Sequence, residues 1–293
     1  MEYLDSPIIS NNMIDHIDQS KSKNNRTQTM SYLQGSSIIK EELIFPILTS
    51  NKDDLNNTHL MYLCACNERF TTKDDINLFM TEKGQQNKFG ITALMYLCNH
   101  CKISISSIKA LNIEINKKDS NLYTALMYYC KLKHPYTYVI DLLKSEIGNI
   151  DFMGRTALMH FFETEKDSFV LKDINIFYNL MKDEIGKKCF LGRTALMRYI
   201  HRDRIQQGFI NMLKDEIGMQ DYNGNTALLL YLMHNTTPSM RIIRSLIKEC
   251  DITNNFGISP LIFIKNKLIN TKDSKYRKNL NYIKNEISKI IGK

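Results

Sequence analysis

Hydrophobic residues lie three and four positions apart in several segments of the second half of the chain. The pattern is plain in YVIDLLKSEIG (138–148), IFYNLMKDEIG (176–186) and GFINMLKDEIG (208–218). This spacing places the apolar residues on one face, so each segment is predicted to be an amphipathic helix. Each segment also ends in glycine, the residue that most often follows the C-terminus of a helix.

A second pattern, the tetrad Thr-Ala-Leu-Met, recurs along most of the chain. It begins at Thr92, Thr124, Thr156 and Thr194, with the variants TALL at Thr226, THLM at Thr58 and SPLI at Ser259. Successive copies are 34, 32, 32, 38, 32 and 33 residues apart. A period near 33 residues is too long for helix or strand periodicity, so it indicates a repeated and stacked supersecondary unit. The interval of 38 predicts an insertion, at 163–173.

Each copy is predicted to contain a turn, a first helix, a loop and a second helix. In five copies a glycine stands two residues before the Thr or Ser, where a tight turn needs a residue with positive φ. Asn56 is an acceptable substitute at that place, and Leu122 is a poor one. The Thr is predicted to cap the first helix through its hydroxyl, and the Ala that follows is a strong helix former.

Because turn, capping Thr, Leu and period recur together, the repeat resembles that of the ankyrin family, whose usual tetrad is TPLH. The TALM form, with a second helix ending in EIG, is similar to ankyrin arrays of protists. The resemblance implies an all-α solenoid of helix-turn-helix units joined by short hairpin-like turns, with about seven repeats. It also implies that packing by Met95, Met127, Met159 and Met197 replaces the hydrogen bonds of the family's His.

The pattern divides the chain into three parts. Residues 1–37 are predicted to be a partly flexible N-terminal segment, because residues 17–37 are polar and aperiodic. Residues 38–270 are predicted to form the repeat array, beginning with a capping helix at 38–48. Residues 271–293 are predicted to form a basic C-terminal capping helix with one apolar face.

Composition and charge narrow the classes of function. The chain has 293 residues, 43% of them hydrophobic, which is ample for a buried core. Its net charge of +8 is concentrated in residues 259–293, where nine Lys or Arg face two Asp or Glu and give +7. The near-neutral remainder argues against a nucleic-acid binder. Without a basic signal peptide or a long apolar run, we expect an intracellular, cytoplasmic protein with reduced cysteines and no membrane span.

Two cysteine-containing stretches, CAC (64–66) and CNHC (98–101), could be written as a zinc site. The repeat register argues against it, because Cys64, Cys98 and Cys130 each lie six residues after their Thr, where a small buried residue belongs. Equivalent positions of stacked helices are ~8–10 Å apart, whereas thiolates that share a zinc ion must lie within ~2.3 Å of it. We therefore expect no metal site and no cofactor.

The recurring acidic residues and the histidines do not suggest catalysis. A glutamate precedes each following Thr or Ser by ten residues, at Glu82, Glu114, Glu146, Glu184, Glu216 and Glu249. A catalytic acid is usually one residue in one cleft, so we expect these glutamates to accept hydrogen bonds near the end of the second helix. His100, His160, His201 and His234 are expected on the exposed side of the first helix. No phosphate loop or catalytic signature is present, and no enzyme is expected.

By resemblance to ankyrin arrays, a partner protein would contact the turn tips and the outer side of the first helix, which together form a concave surface. Apolar residues recur at these tips, which is unusual for solvated turns and predicts an interaction stripe. The predicted partner-binding residues are Phe89, Tyr123, Phe152, Met153, Arg155, Phe190, Leu191, Arg193, Tyr222, His201 and Arg202. A second interpretation is that the tip aromatics pack on neighbouring tips and stiffen the array, and both can hold together.

We therefore expect a non-catalytic, monomeric scaffold that binds an unknown partner protein on the concave surface and takes no small-molecule substrate. The alternative function is binding of nucleic acid or an anionic membrane through the basic C-terminal helix. A purely architectural spacer is a further alternative.

Overall fold

A computed structural model describes residues 52, 55–65, 72–100, 103–164, 171–202, 204–270 and 274–292. Every regular element within these residues is helical. The predicted flexible segment at 17–37, the capping helix at 38–48 and most of the predicted insertion lie outside them. None of the helices described is both long and apolar enough to cross a membrane. The chain divides into two compact units, Met1–Glu114 and Ile115–Lys293.

In its described residues, the first unit contains two pairs of helices. The first helices of the pairs are α1 (His59–Ala65) and α3 (Ala93–Leu97), and the second helices are α2 (Lys73–Asn77) and α4 (Ile105–Ala110). Each second helix is followed by a single 3₁₀ turn, Met80–Glu82 or Asn112–Glu114. Helix α1 packs against α3 and α2 packs against α4, so like helices lie beside each other.

The second unit repeats the same arrangement. Its first helices are α5 (Ala125–Cys130), α7 (Ala157–Glu163), α9 (Ala195–Tyr199), α11 (Ala227–His234) and α13 (Pro260–Asn270). Its second helices are α6 (Thr137–Leu142), α8 (Leu171–Met181), α10 (Gln207–Met212) and α12 (Met240–Ser245). Their 3₁₀ turns are Lys144–Glu146, Lys182–Glu184, Lys214–Glu216 and Ile247–Glu249, and the chain continues into α14 (Ser274–Ile291).

Packing within the second unit follows the order of the repeats. Each of the helices α5, α7, α9, α11 and α13 contacts the next one in the series, and α8 contacts both α6 and α10. Helix α14 packs against α13. Pairs of helices in repeating units, with first helices beside first helices, are the arrangement of ankyrin-type repeats. The predicted all-α fold class is therefore confirmed.

The first helix begins where the sequence predicts. The hydroxyl of Thr92 accepts a hydrogen bond from the Met95 amide at 3.3 Å, and Thr58, Thr156, Thr194, Thr226 and Ser259 make the equivalent bond. Such a bond satisfies one of the amides that a helix N-terminus leaves without a partner. Thr124 occupies the same place without an intrahelical side-chain bond. The Met residues of the tetrads are fully buried, as the resemblance implied.

The second helices are shorter than their hydrophobic pattern indicated. Helix α6 ends at Leu142, and the last turn of the pattern, Lys144–Glu146, is 3₁₀. Gly148 then takes φ of +90°, so the predicted glycine lies beyond the 3₁₀ turn instead of directly after an α-helix. The tighter turn carries Glu114, Glu146, Glu184, Glu216 and Glu249 into the interior, whereas Glu82 is half-buried.

That buried glutamate joins three parts of the array. Oε2 of Glu184 accepts from the amide of Leu158 at 2.7 Å, at the start of the first helix in its own repeat. Oε1 accepts from the amide of Gly148 at 2.7 Å, in the preceding repeat. Glu114, Glu146, Glu216 and Glu249 make the same two bonds at 2.6–2.9 Å. The glutamates therefore accept hydrogen bonds, as the sequence predicted, but across repeats as well as within them.

Replacement of Glu184 by Gln tests this link, because the amide group keeps one oxygen and turns its NH₂ toward a backbone N–H. We expect Glu184→Gln to lower the free energy of unfolding by about 2 kcal/mol, since a buried donor without an acceptor costs about 1–3 kcal/mol. Urea unfolding followed by circular dichroism measures the change. Asp183→Asn is the control, because Asp183 is exposed and its loss should cost less than about 0.5 kcal/mol. Equal effects of the two variants would contradict the role of the buried carboxylate.

The turn before each first helix requires a left-handed residue. Gly90, Gly154, Gly192, Gly224 and Gly257 have φ between +70° and +76° there. Leu122 holds the same place with φ of +62°, a conformation that costs an L-residue with a Cβ about 1–2 kcal/mol. The side chain of Leu122 is exposed, so little packing offsets that cost.

Leu122→Gly should therefore stabilise the fold by about 0.5–1 kcal/mol, after allowance for the greater chain entropy of unfolded glycine. Urea unfolding again provides the measurement. Gly154→Ala, at the equivalent place, should have the opposite sign, because its Cβ would lie 2.6 Å from the Phe190 ring. A loss of stability in Leu122→Gly would show that the Leu side chain contributes more than its conformation costs.

Candidate binding surface

The turn tips form a ladder of backbone hydrogen bonds along each unit. The residue four before the Thr donates its amide to the carbonyl three before the Thr of the preceding repeat. In the second unit these bonds are Phe152 to Asn121, Phe190 to Met153, Tyr222 to Leu191 and Asn255 to Asn223, at 3.0–3.2 Å. Lys88 bonds to Leu55 in the same way in the first unit, at 2.9 Å. The tips are thus held in a fixed register within each unit.

An Asp or Asn five residues before the Thr shapes each tip. Oδ1 of Asp151 accepts from the amides of Met153 at 2.9 Å and Arg155 at 2.8 Å. Asn87, Asp119, Asp221 and Asn254 make the same pair of bonds, whereas Cys189 takes this place in the repeat of Thr194. Short carboxylate or amide side chains commonly bond to amides a few residues on and so stabilise turns. The sequence pattern did not predict a role for these residues, although their common register was a visible signal.

The aromatic tips are both packed and exposed. A Cβ atom on Gly154 would lie 2.6 Å from Cδ1 of Phe190, and one on Gly192 would lie 2.7 Å from Cδ1 of Tyr222. Each ring therefore rests on the turn glycine of the preceding repeat. Even so, Phe190 is 60% exposed and Tyr222 is 68% exposed. The rings contribute to tip packing and still present an apolar face to solvent.

The other predicted tip residues differ in their exposure. Phe152 is 46% exposed, and Phe89 and Leu191 are also exposed, whereas Met153 is only half-buried. In the second unit, Phe152, Phe190 and Tyr222 share one register and together form what we call the tip stripe. Phe89 belongs to the first unit.

Beneath the tips, the Asp or Asn also bonds to the side chain four residues after the Thr. Asp119 accepts from the hydroxyl of Tyr128 at 2.6 Å, and Asn87 donates to the hydroxyl of Tyr96 at 3.1 Å. In the repeat of Thr156, His160 Nε2 lies 3.0 Å from Asp151 Oδ2. Where Cys189 replaces the acid, Arg198 approaches the sulfur at 3.4 Å. These pairs tie the tip to the first helix.

An ionic cluster lies beneath the tips of the second unit, on the surface that we call the inner face. Glu163 contacts Arg155 of its own repeat at 3.3 Å and forms an ion pair with Arg198 of the next repeat. Arg155 also binds Asp151, with its Nε 2.7 Å from Oδ2. His160 lies between the two carboxylates, with Nδ1 3.2 Å from Glu163. The cluster joins the repeats of Thr156 and Thr194.

The charges of this cluster stabilise one another. Burial raises the pKa of Asp151, but hydrogen bonds from His160 and Arg155 outweigh it and lower that pKa to about 2. Burial likewise raises the pKa of Glu163, while His160, Arg198 and Arg155 lower it to about 2. Both carboxylates are therefore ionised at neutral pH, because the positively charged side chains beside them favour the ionised form.

Two predictions of exposure are wrong. Tyr123, predicted to contact a partner, is only 2% exposed, and its ring lies 4.8 Å from that of His160. Its hydroxyl accepts a hydrogen bond from Arg155 at 2.5 Å. His160, expected on the exposed side of its helix, is fully buried. His160 turns inward toward Asp151, and Tyr123 turns inward toward Arg155, which Asp151 also binds.

The remaining predicted contact residues lie beside the cluster and are half-buried. Arg193 approaches Asp221 with Nε 3.8 Å from Oδ2, and Arg202 donates to the carbonyl of Phe162 at 2.6 Å. The ring of His201 meets that of His234 edge-on, with centroids 4.1 Å apart. Burial and the neighbouring His234 lower the pKa of His201 to about 4, so this imidazole is neutral at pH 7.

The surroundings of His160 fit a structural role better than a role as a general acid or base. A general base needs a ring nitrogen within reach of the proton that it removes. Both nitrogens of His160 lie beside carboxylates, and the ring has no exposed surface. This histidine orients charged neighbours and is not directed toward a solvent-filled site.

The zinc hypothesis concerned the stretches 64–66 and 98–101, of which Cys66 and Cys101 lie outside the described residues. Cys64, Cys98 and Cys130 are buried, as their register predicted. Burial raises the pKa of the Cys64 thiol, which disfavours the thiolate that binds metal. In the part of the chain that the structure describes, no three His, Cys, Asp or Glu side chains are grouped to hold a metal ion.

Comparison with known proteins adds little to what the structure shows. No protein-family model matches the chain, and no curated protein resembles it at a significant level. Among solved structures, it is similar to the ankyrin repeat domain of Bcl-3, described as a unique member of the IkappaB protein family. The alignment covers 77% of this chain and 98% of that one, at 15% identity and a TM-score of 0.47. The likeness is too distant to carry an argument.

The class of protein follows from the repeat itself. Thr-capped first helices, second helices followed by a 3₁₀ turn, left-handed turn residues and laddered tips recur in each unit. They define an ankyrin-type repeat fold whose inner face, in the second unit, holds an ionic cluster beneath an exposed aromatic stripe.

The stability of the protein at acidic pH tests the role of the ionic cluster. Because the folded-state pKa of Asp151 is lowered, its ionised form stabilises the fold above a pH of about 4, and this contribution is lost as the pH falls toward 2. Asp151→Asn should cost about 2 kcal/mol at pH 7, and its difference from the wild type should shrink below a pH of about 4. Urea unfolding between pH 3 and 7 measures that difference.

Asp141→Asn is the control for this pH series. Asp141 is exposed and lies 3.3 Å from Lys144, so its removal should have a small effect at every pH. A cost of Asp151→Asn that stays constant down to pH 3 would contradict the lowered pKa.

Proposed function

We propose that the second unit is a binding module for a partner protein, which contacts the tip stripe and the half-buried residues below it. The observation that carries the proposal is the exposure of Phe152, Phe190 and Tyr222 in one register on tips that backbone bonds hold in place. Exposed aromatic residues on a pre-organised surface are the usual anchors of protein interfaces.

The ionic cluster supports this proposal by limiting motion beneath the stripe. Arg198 and Glu163 connect adjacent repeats, and Asp151 fixes the turn that carries Phe152. A surface that is already ordered loses little conformational entropy when a partner binds. The polar rim formed by Arg193 and Arg202 would then provide hydrogen bonds around an apolar centre.

Within the proposal, the module takes no substrate and performs no reaction. Ankyrin-type repeat domains are typically non-catalytic, and the burial of His160 between two carboxylates fits that role. The cytoplasmic location and the monomeric state stay predictions.

The test compares two triple variants of the whole chain. The tip variant is Phe152→Ala, Phe190→Ala and Tyr222→Ala, and the control variant is Tyr138→Ala, Ile176→Ala and Tyr178→Ala. The control residues are exposed side chains of the second helices α6 and α8. Each protein is used as bait for quantitative mass spectrometry of bound proteins from cells of its source.

We expect specific partners to be depleted at least about tenfold with the tip variant, as for the loss of more than one interface anchor. The control variant should retain them. Thermal unfolding of both variants shows whether the tip rings also stabilise the array. Identical sets of bound proteins for the wild type and the tip variant would overturn the proposal. Depletion that occurs only together with unfolding would assign the rings to tip packing alone.

A further inference from the structure

Helices α13 and α14 line an open groove, and none of the tip-stripe residues belongs to its lining. It has a volume of about 290 Å³ and is lined by Lys265, Leu268, Ile269, Arg277, Asn281 and Lys284. Lys265 and Ile269 belong to α13, and Arg277, Asn281 and Lys284 are spaced four and three residues apart on α14. That spacing places the three residues of α14 on one face of the helix.

The groove is strongly positive. Its lining contains three cationic side chains and no acidic one. Glu286, which lies on the same helix, pairs with Arg244 at 3.2 Å and Lys289 at 3.0 Å. Among the residues that the structure describes, no carboxylate forms an ion pair with Lys265, Arg277 or Lys284. An anionic ligand would therefore find cations that are not already neutralised.

Apolar side chains lie exposed beside these cations. Ile269 is 77% exposed, and Ile262, seven residues earlier on the same face of α13, is also exposed. The buried side of α14 is formed by Leu280, Ile283 and Ile287, so the helix is held to the array by its other face. Exposed isoleucines next to Lys and Arg are typical of a surface that lies at a membrane interface.

The lining chemistry also distinguishes between two kinds of anionic partner. Single-stranded nucleic acids are usually held by aromatic rings that stack on bases, together with a basic groove. None of the six lining residues is aromatic. The exposed Ile269 and its cationic neighbours instead fit the acyl region and the headgroups of a lipid surface.

We propose that the groove between α13 and α14 docks the second unit onto anionic phospholipid membranes, with Lys265, Arg277 and Lys284 binding headgroup phosphates and Ile269 entering the interface. Binding is peripheral and electrostatic, so it weakens as the salt concentration rises. It is independent of the tip stripe, and the tip variant retains it.

The experiment is co-sedimentation of the whole chain with vesicles. One set contains phosphatidylcholine alone, and the other contains phosphatidylcholine and phosphatidylserine in a ratio of three to one. The groove variant is Lys265→Glu, Arg277→Glu and Lys284→Glu. The control variant is Lys182→Glu, Lys214→Glu and Lys248→Glu, which changes the net charge equally at three exposed lysines of the 3₁₀ turns.

The wild type should bind the phosphatidylserine vesicles and not the neutral ones. The groove variant should lose at least about tenfold in affinity, since each Lys or Arg near an anionic surface contributes substantially. The control variant should stay within about threefold of the wild type, because its lysines lie outside the groove. Ile269→Asn should also weaken binding, whereas Ile176→Asn, at another exposed isoleucine on α8, should not.

Four results would overturn the proposal. These are no binding to phosphatidylserine vesicles, equal losses in the groove and control variants, binding that does not depend on salt, and an Ile269→Asn variant that binds as the wild type does. A twenty-nucleotide oligo(dT) provides the competing class of ligand. Tight binding of this probe that is lost in the groove variant, without vesicle binding, would assign the groove to nucleic acid.

Discussion

The structure depends on a carboxylate that is buried after the second helix of five successive repeats, from Glu114 to Glu249. Burial raises the pKa of Glu146, Glu184, Glu216 and Glu249, and the backbone amides that bond to them offset only part of this effect. A charge in the interior is costly unless it is hydrogen-bonded. The repeat therefore has to supply donors in a fixed place, and it does so with the start of its own first helix and the end of the preceding repeat. The same carboxylate therefore constrains both the pairing of helices within a repeat and the stacking of one repeat on the next.

The tips are positioned by a second, independent set of bonds. The Asp or Asn before each turn shapes the hairpin, and the ladder of tip amides sets its register against the next hairpin. Such a rigid edge can carry exposed aromatic rings without collapse of those rings into the core. The same Asp reaches inward to the first helix, and in the repeat of Thr156 it meets His160 and Arg155. The binding surface and its support are therefore built from the same turns.

Much of the fold could be predicted because its signals repeat. The turn glycines, the capping Thr and the recurring glutamate each appear at one register, and stacking gives them one meaning. The inner face could not be predicted in this way, because the residue four after the Thr is Tyr96, Tyr128, His160, Arg198 or Leu230. Tyr96, Tyr128 and His160 bond to the Asp or Asn five before the Thr, whereas Arg198 meets Cys189, and the period of the repeat does not reveal these pairings. Tyr123 was placed outside for the same reason, since its burial depends on the cluster around Asp151.

The groove at the end of the second unit illustrates another limit of sequence patterns. The concentration of Lys and Arg in residues 259–293 was evident from composition, but a charge run does not reveal which side chains converge. Helix pairing brings Lys265 beside Arg277 and Lys284, while Glu286 is turned toward Arg244.

The double attachment of each buried glutamate bears on how the array unfolds. In a linear array, the stability of one repeat and its coupling to the next are separate quantities that together decide whether the whole melts at once. Here one carboxylate contributes to both. Loss of Glu184 would weaken the repeat of Thr156 and also remove one of its links to the repeat of Thr124. Melting of the second unit would then be less cooperative at that boundary.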